Sequence, residues 1–453
     1  MGEQIDLNHN PGGTGTGAEI PYGRQWIDED DIQAVVEVLR SEWLTQGPKV
    51  REFEKKFARY VGARYAVAVS SGTAALHITC WAAGIGPGDE VITSPVTFVA
   101  TAHAALHCRA RPVFVDIDPD TICLDPRALE AYLEARKAPG VRPLTRPRAV
   151  VPVHFAGVPC DMPRIGEIAR KHNMVVIEDA CHALGARYRG MEPGSGADWI
   201  KVGGCTHSDM TVFSFHPVKH ITTGEGGMVT TNSPEFYKKL LMYRNHGITR
   251  RTEDFSGTMP FEPHLSKRGE RRSEAALWYY EMQALGLNYR ITDIQCALGI
   301  SQLGKLDAFV HKRREIARRY NSHFREVAGL ELPPRPPQTE PSFHLYVLRL
   351  KRGSLHTRFR VLTGLMEQGI RAQVHYIPVH RQPFFKKGVG KRASDLRHAD
   401  AFYTKCLSLP LFPRMKEEEV QRVVEGVLSL APLFAEREKR KEEDLLLEGS
   451  PGR

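Results

Sequence analysis

A lysine follows a turn between two apolar runs, in a setting that suits chemistry better than a surface role. The run 211–215 is strand-like, Pro217 turns the chain, and Lys219 precedes a threonine- and glycine-rich loop that leads to a second run at 228–231. Burial disfavours the ammonium form, so a lysine between buried strands can become the neutral amine that forms Schiff bases. An isolated lysine in a solvated loop would be the ordinary alternative.

A carboxylate earlier in the chain favours the chemical interpretation. The apolar run 175–178 predicts a buried strand, and Asp179 stands at its end. Enzymes that use pyridoxal phosphate (PLP) need a lysine that binds the cofactor aldehyde and an aspartate that keeps the pyridine nitrogen protonated. Strand alternation sends Glu178 and Asp179 to opposite faces, so only one carboxylate can lie under a ring. Lys219 and Asp179 are the predicted catalytic pair.

A candidate phosphate site follows the first predicted strand, at 65–69. Ser71, Gly72 and Thr73 open a predicted helix at 73–83. The N–H groups of a helix N-terminus bind anions, and glycine permits close approach of a phosphate. A plain N-cap by Ser71 is the alternative. Beside a PLP lysine, we expect phosphate binding here.

These stretches resemble the DegT/StrS family of PLP-dependent nucleotide-sugar aminotransferases, over roughly residues 21 to 430. Within the family, the segments 216–227 and 374–378 are most similar to aminotransferases of pseudaminic acid biosynthesis. The resemblance implies an α/β protein of fold type I, with a mostly parallel central sheet flanked by helices and a smaller α+β C-terminal domain. It also implies transfer of an amino group from glutamate to C4 of a UDP-4-keto-6-deoxy-N-acetylhexosamine.

The resemblance implies roles for further residues around the cofactor. Gly72, Thr73 and Ser214 match the positions that bind the cofactor phosphate, and His182 matches the one that contacts the ring hydroxyl, although a structural histidine is the alternative. Phe98 matches the residue that stacks on the ring, and without the motif it would be a core phenylalanine.

Other matching positions imply a homodimer with composite sites and a nucleotide-sugar pocket. Asn288 matches an asparagine that reaches the cofactor phosphate of the neighbouring subunit. A local role is compatible with this one, because an Asx-turn there would precede a helix capped by Thr292 or Asp293. For the substrate, the resemblance implies contacts from Thr45, His344, His375 and Tyr376. It leaves open whether His380 contacts the ligand or has a structural role.

Composition places the chain among soluble globular proteins, with 453 residues, 42% hydrophobic content and 25% charged content. No apolar run approaches a membrane span, and the first residues are not a secretory signal. The eight cysteines show no paired spacing, which indicates reduced thiols and a cytoplasmic protein. We expect no metal site, because His216 and His220 lack a third ligand nearby.

The formal charge of +9 suits an anionic ligand. The basic clusters at 267–272 and 312–314 are not interleaved with stacking aromatics, so nucleic acid is not the expected partner. A nucleotide diphosphate substrate explains the charge equally well.

Strand–helix alternation from residue 64 predicts the parallel sheet. We expect a leader at 1–20, a PLP-binding domain at 21–306, a smaller domain at 307–435 and a charged tail at 436–453. Within these, the pattern predicts a polar excursion at 250–275, two helices at 292–304 and 307–325, and a strand at 371–376.

Several alternative functions can be compared with the motifs of the sequence. An aminotransferase for a dTDP- or GDP-linked keto sugar would keep every motif. Relatives that dehydrate sugars replace the lysine with histidine, whereas this chain has Lys219. A PLP-binding regulator would need a DNA-binding module, and none is visible. A nicotinamide-dependent oxidoreductase would need Gly-x-Gly-x-x-Gly after a strand, and the segment 70–73 departs from that pattern.

Overall fold

The computed structural model describes residues 19–138, 140, 144–190, 199–255, 278–389, 391–392 and 395–435. Most of the predicted leader, most of the excursion at 250–275 and the charged tail lie outside these residues. Twelve helices are present in the described part of the chain: α1 (Glu29–Leu39), α2 (Pro48–Val61), α3 (Gly72–Ala82), α4 (Ala100–His107), α5 (Pro126–Ala135), α6 (Met162–Lys171), α7 (Pro234–Arg244), α8 (Asp293–Phe324), α9 (Leu355–Glu367), α10 (Arg397–Lys405), α11 (Glu417–Ser429) and α12 (Ala431–Ala435).

The strands are numbered in the same way. They are β1 (Tyr65–Val69), β2 (Asp89–Thr93), β3 (Arg111–Phe114), β4 (Arg146–Val151), β5 (Val175–Asp179), β6 (Arg187–Tyr188), β7 (Ile200–Lys201), β8 (Met210–Ser214), β9 (Gly227–Thr231), β10 (Ile248–Thr249), β11 (Glu281–Met282), β12 (Leu330–Glu331), β13 (Thr339–Glu340), β14 (Tyr346–Leu350), β15 (Lys391–Arg392) and β16 (Cys406–Leu409).

An eight-stranded sheet in the order β1-β9-β8-β5-β4-β2-β3-β15 organises the large part of the chain. Neighbouring strands from β8 through β15 pair in parallel, whereas β9 is antiparallel to both β1 and β8. The predicted mostly parallel sheet is therefore confirmed.

Helices cover both faces of this sheet. Val67 and Val69 of β1 lie in one core with α3 and α4, while Ala66 and Ala68 lie in a second core with α2, α6 and the first half of α8. Alternate side chains of a strand point to opposite faces, so a strand buried on both faces reads as a continuous apolar run. This three-layer packing brings the carboxyl ends of the parallel strands to one edge of the sheet.

A smaller unit packs around the antiparallel sheet β12-β14-β16. Its core contains residues of α9, α11 and the second half of α8, together with Ile20, the last residue of the predicted leader. The prediction of two helices at 292–304 and 307–325 is wrong, since α8 runs unbroken from Asp293 to Phe324. Its two halves bury their apolar faces in different cores. The division of the chain at residue 306 stays a prediction.

The predicted strand at 371–376 is also wrong. Only Gln373 pairs there, in a single bridge with Ser408. Beyond it, the backbone leaves the β16 edge, and Tyr376 hydrogen-bonds to His182 of the large part of the chain. Tyr376 therefore packs against the large part of the chain, whereas His375 stays on the small sheet through its contact with Ser408.

All eight cysteines are free thiols, and seven of them are buried. In the part of the chain that the structure describes, every helix is too short or too polar to span a bilayer.

Candidate active site

A cavity of about 430 Å³ opens at the carboxyl ends of β1, β5 and β8. Because these strands run in the same direction, the residues that follow them meet at one edge of the sheet. Nine of the predicted site residues line this cavity: Gly72, Thr73, Phe98, Asp179, His182, Ser214, Lys219, His375 and Tyr376. The volume lies within the range of cavities that hold small organic ligands.

Lys219 lies on a turn just after β8, where its N–H donates to the carbonyl of His216 at 2.9 Å. Burial lowers the pKa of the amine, and the positive charge of Arg313 lowers it further, while Cys181 and Asp179 act in the opposite direction. Its Nζ lies 3.5 Å from Nε2 of His344. The site therefore favours the neutral amine more strongly than water does.

Asp179 ends β5 and is buried at the cavity wall. Its Oδ2 accepts a hydrogen bond from Oγ1 of Thr101 at 2.7 Å, and its Oδ1 accepts one from the N–H of Cys181 at 3.2 Å. Thr101 Oγ1 lies in turn 2.7 Å from Oγ1 of Thr97 on the preceding turn. The carboxylate is thus held in one orientation.

Glu178 points to the other face of β5, as strand alternation predicts. Its carboxylate lies 2.7 Å from Nε2 of His154 and accepts from Oγ1 of Thr211 at 3.0 Å. The side chain of Glu178 is buried and does not line the cavity. The pair Glu178 and Asp179 therefore supplies a single carboxylate to the site.

The N-terminus of α3 forms the floor of the cavity. Ser71 caps the helix, since its Oγ accepts from the N–H of Ala74 at 3.1 Å. The first-turn N–H groups of Gly72 and Thr73 have no acceptor inside the helix. A Cβ on Gly72 would lie 2.9 Å from Cβ of Ser214, so glycine is needed for β8 and α3 to approach this closely. The structure thus shows the cap by Ser71, which leaves the first two N–H groups of the helix without a partner inside it, while phosphate binding at this segment stays a prediction.

Aromatic side chains form the opposite wall. Phe98 is 58% exposed although it lines the cavity, and its ring centroid lies 6.2 Å from that of Tyr376. A core phenylalanine would be buried, so the exposed ring suits stacking on a ligand.

Two histidines beside this wall are held uncharged. Nε2 of His182 lies 3.0 Å from Oη of Tyr376, whereas its buried Nδ1 has no hydrogen-bond partner among the described residues. Burial lowers the pKa of His182 well below its ordinary value, and it lowers that of His375 to about 4. His375 is anchored by a contact of 2.9 Å between its Nδ1 and Oγ of Ser408. Nδ1 of His182 is therefore a buried polar atom without a partner among the described residues, in a side chain that lines the cavity.

The cavity does not include Thr45, Asn288 or His344. Thr45 and Asn288 are exposed, and they pair through their backbones with Thr292 and Asn245. Thr292 caps α8, which is the local role expected for the segment after Asn288. His344 is 4% exposed, and its Nε2 lies 3.5 Å from Nζ of Lys219, so its contact with the substrate stays a prediction.

His380 lies outside the cavity as well. It is buried, and its Nε2 contacts Oδ1 of Asp400 at 3.1 Å. His380 therefore takes the structural alternative of the two that the sequence leaves open.

The sequence patterns did not assign a role to several other residues of the cavity wall, among them Tyr22, Thr101, Cys181 and Glu225. Thr101 lies in the first turn of α4, whereas Thr97 precedes that helix, so no helical spacing marked the pair. Tyr22 lies in an irregular segment before α1, where no periodicity marks it.

The basic cluster 312–314 serves the fold and not an anionic ligand. Arg313 and Arg314 donate to backbone carbonyls, and Lys312 pairs with Glu315 at 3.1 Å. The cluster at 267–272 lies outside the described residues. No three His, Cys, Asp or Glu side chains of the described ranges are grouped to hold a metal ion, and His220 contacts the carbonyl of Ser342 at 3.3 Å.

A lysine, a buried carboxylate and a helix N-terminus around one cavity define the class of PLP-dependent enzymes that hold their cofactor on a lysine. A model of the DegT/DnrJ/EryC1/StrS aminotransferase family matches residues 25–428. The chain belongs to this family of sugar aminotransferases, whose cofactor is PLP, and the resemblance described above is confirmed.

Individual relatives cover nearly the whole chain. The spore coat polysaccharide biosynthesis protein SpsC of Bacillus subtilis is 41% identical over 411 residues, covering 90% of this chain and 96% of SpsC. The UDP-4-amino-4,6-dideoxy-N-acetyl-beta-L-altrosamine transaminase of Campylobacter jejuni is 36% identical, covering 91% of this chain and 97% of the relative. The structure of PseC from Helicobacter pylori, an aminotransferase involved in the biosynthesis of pseudoaminic acid, superposes with a TM-score of 0.77 at 30% identity, covering 91% of this chain and 99% of PseC.

Proposed function

We propose that this aminotransferase moves an amino group from glutamate to C4 of a UDP-linked 4-keto-6-deoxy-N-acetylhexosamine, in amino-sugar biosynthesis of the pseudaminic acid type. The observation that carries the proposal is that Lys219 and Asp179 face one cavity in a chain similar to a transaminase named for such a sugar. The net charge of +9 suits a substrate that carries a diphosphate.

The residues of the cavity fit PLP. Gly72 and Thr73 would bind its phosphate through their free N–H groups, with the hydroxyl of Ser214 beside them. The exposed ring of Phe98 would stack on the pyridine ring, and His182, which lines the cavity, would contact the ring hydroxyl. When bound, PLP supplies the electron sink that lets an amino group leave one substrate and join another.

Two residues would carry the protons of the reaction. Asp179 would hold a proton on the pyridine nitrogen, because its carboxylate is buried and oriented by Thr101. Lys219 would bind the cofactor aldehyde and, once displaced by the donor, move a proton at the reacting carbon. Its lowered pKa suits that role, since the amine must be neutral to accept a proton.

The nucleotide sugar would enter from the side of the aromatic wall. His375 and Tyr376 line the cavity and would contact the sugar. Thr45 lies outside the cavity of its own chain, as Asn288 does, so both would act across a homodimer interface. The proposed site of action is the cytoplasm, where UDP-sugars and reduced thiols coexist.

The test is transfer of the amino group to a defined keto sugar. Purified protein loaded with PLP is incubated with glutamate and the UDP-4-keto sugar, and mass spectrometry follows replacement of the keto oxygen by an amine. Lys219→Ala is the matched control and should form no product, because both the covalent attachment and the proton carrier are lost.

The acceptor panel decides between the alternatives. Turnover of a dTDP- or GDP-linked keto sugar, with no product from any UDP-keto sugar, would assign the protein to another branch of the same family. Loss of water from the sugar without amination would make it a dehydratase. No reaction with any keto sugar would defeat the proposal.

A further inference from the structure

A buried arginine without a carboxylate partner lies behind the catalytic lysine. Arg313, on α8, is 1% exposed, and no carboxylate of the described residues lies within ion-pair distance of it. Its Nε has no hydrogen-bond partner in the described part of the chain. Burial lowers the pKa of the guanidinium to about 9, which still leaves it charged at neutral pH. A buried unpaired charge is costly, so its retention calls for a function.

Arg313 holds the backbone segment that carries His344. Its Nη1 donates to the carbonyls of Leu411 at 2.8 Å, His344 at 3.2 Å and Phe343 at 3.4 Å. Phe343 has a φ of 51°, a left-handed conformation that a bulky side chain adopts only when its surroundings impose it. The guanidinium therefore fixes a strained turn, and the ring of His344 on that turn reaches to 3.5 Å from Nζ of Lys219.

The charge of Arg313 also acts on three ionisable groups, Lys219 among them. It lowers the pKa values of Lys219, His220 and His344, in each case after the larger effect of burial. The ring of His344 packs against those of His182 and His220, with centroid distances of 4.4 Å and 5.7 Å.

Two acidic groups near Lys219 act on its pKa in the direction opposite to Arg313. Asp179 and Cys181 favour the ammonium form of the lysine. His182 and His375 lie on the remaining sides, and burial lowers the pKa of both imidazoles. Arg313 is thus the permanent positive charge that opposes Asp179 at this amine.

We propose that Arg313 is a positioning residue for Lys219: its hydrogen bonds to the carbonyls of Phe343 and His344 hold the ring of His344 against the amine and fix a permanent positive charge next to these side chains. The inference rests on the proposed role of Lys219 and adds a residue that touches neither cofactor nor substrate. If Arg313 served packing alone, an apolar side chain of similar length would replace it without changing the titration of the lysine.

The experiment measures the protonation of Lys219 in the apo protein. Acylation of Lys219 by acetic anhydride is followed against pH, with the modified peptide quantified by mass spectrometry, since only the neutral amine reacts. For Arg313→Met we expect the midpoint to rise by about one pH unit, so that the acylation rate below the midpoint falls about tenfold. Arg313→Lys keeps the charge and should stay near the parent value. Arg318→Met, an exposed site on the same helix, is the matched control.

A folded Arg313→Met protein with the parental midpoint would overturn the inference. If that variant does not fold, Arg313→Gln provides the same neutral comparison, because its amide can still donate to a carbonyl. A midpoint in Arg313→Lys that moves as far as in the neutral variant would equally contradict a role for the charge. The readout needs neither cofactor nor sugar, so a wrong assignment of the substrate would leave it unaffected.

Discussion

At the scale of single residues, Gly72 and Ser214 approach each other closely at the cavity wall. A methyl group on Gly72 would lie 2.9 Å from Cβ of Ser214 and 3.3 Å from Sγ of Cys181. Contacts this short force one of the two elements to move, and either movement separates the helix N-terminus from the Ser214 hydroxyl. The proposed phosphate site therefore depends on the absence of a side chain at residue 72.

We expect Gly72→Ala to weaken PLP binding by about tenfold, which corresponds to a modest overpacking cost. Titration of apo protein with PLP, followed by the visible absorbance of the bound cofactor, measures the effect. Gly86→Ala is the matched control, because a Cβ there would meet no atom within 4 Å. Parental affinity in Gly72→Ala would show that the phosphate binds elsewhere.

At the scale of secondary-structure elements, α4 supports the carboxylate that β5 presents. Thr101 is 1% exposed and is the side chain that donates to Asp179. The strand alone would leave this carboxylate partly unsatisfied, so the orientation of Asp179 depends on the register of α4 against the sheet.

Thr101→Val keeps the shape of the side chain and removes the donor. A hydrogen bond to a charged group contributes about 1.5–3 kcal/mol, so we expect the free energy of unfolding of the apo protein to fall by about 2 kcal/mol. Urea denaturation measures the loss, and PLP binding should weaken with it. Thr79→Val in α3 is the control, because it removes a hydrogen bond to the neutral carbonyl of Leu76. There we expect the free energy of unfolding to fall by about 1 kcal/mol or less. Equal losses in both variants, with unchanged PLP binding, would rule out a special role for Thr101.

The same scale explains how much of the structure could be predicted from the sequence. Strands β1, β5 and β8 of the central sheet are almost entirely buried and appear as apolar runs, so their positions, and the site residues that end or follow them, could be read directly. By contrast, α8 continues through Gly304, although two separate helices were predicted at 292–304 and 307–325. A helical glycine costs only about 1 kcal/mol, and burial of Leu303 and Leu306 on either side outweighs it.

Residues that reach the site from irregular segments could not be predicted. Tyr22 lies before the first helix, and the segment 371–376 loses its strand because Tyr376 makes its contacts with His182 in the large part of the chain. Local sequence patterns show which residues are apolar, but they do not show which distant element the polar end of a side chain will contact. The buried Arg313 illustrates the same limit, since a basic triplet in a helix ordinarily predicts a solvated face.

At the scale of the whole molecule, the proposed homodimer accounts for the residues that lie outside the cavity. Thr45 and Asn288 are exposed, and the segments around them carry exposed apolar side chains. These are Trp43, Leu44, Trp278, Tyr280, Met282 and Leu285. Several large apolar side chains exposed on neighbouring segments are typical of an interface between proteins. In a symmetric dimer, each Asn288 would then serve the cofactor site of the partner.

Mixing two inactive variants tests this arrangement. Lys219→Ala lacks the lysine, and Asn288→Ala lacks the proposed phosphate contact, so homodimers of either variant should be inactive or strongly impaired. A heterodimer has one site in which Lys219 of one chain meets Asn288 of the other, both unmutated. Since half of the dimers in an equal mixture are heterodimers with one such site of two, we expect about a quarter of the parental activity. If Asn288 instead served its own chain, no mixture would regain activity. An active monomer in sedimentation experiments would contradict the proposed dimer itself.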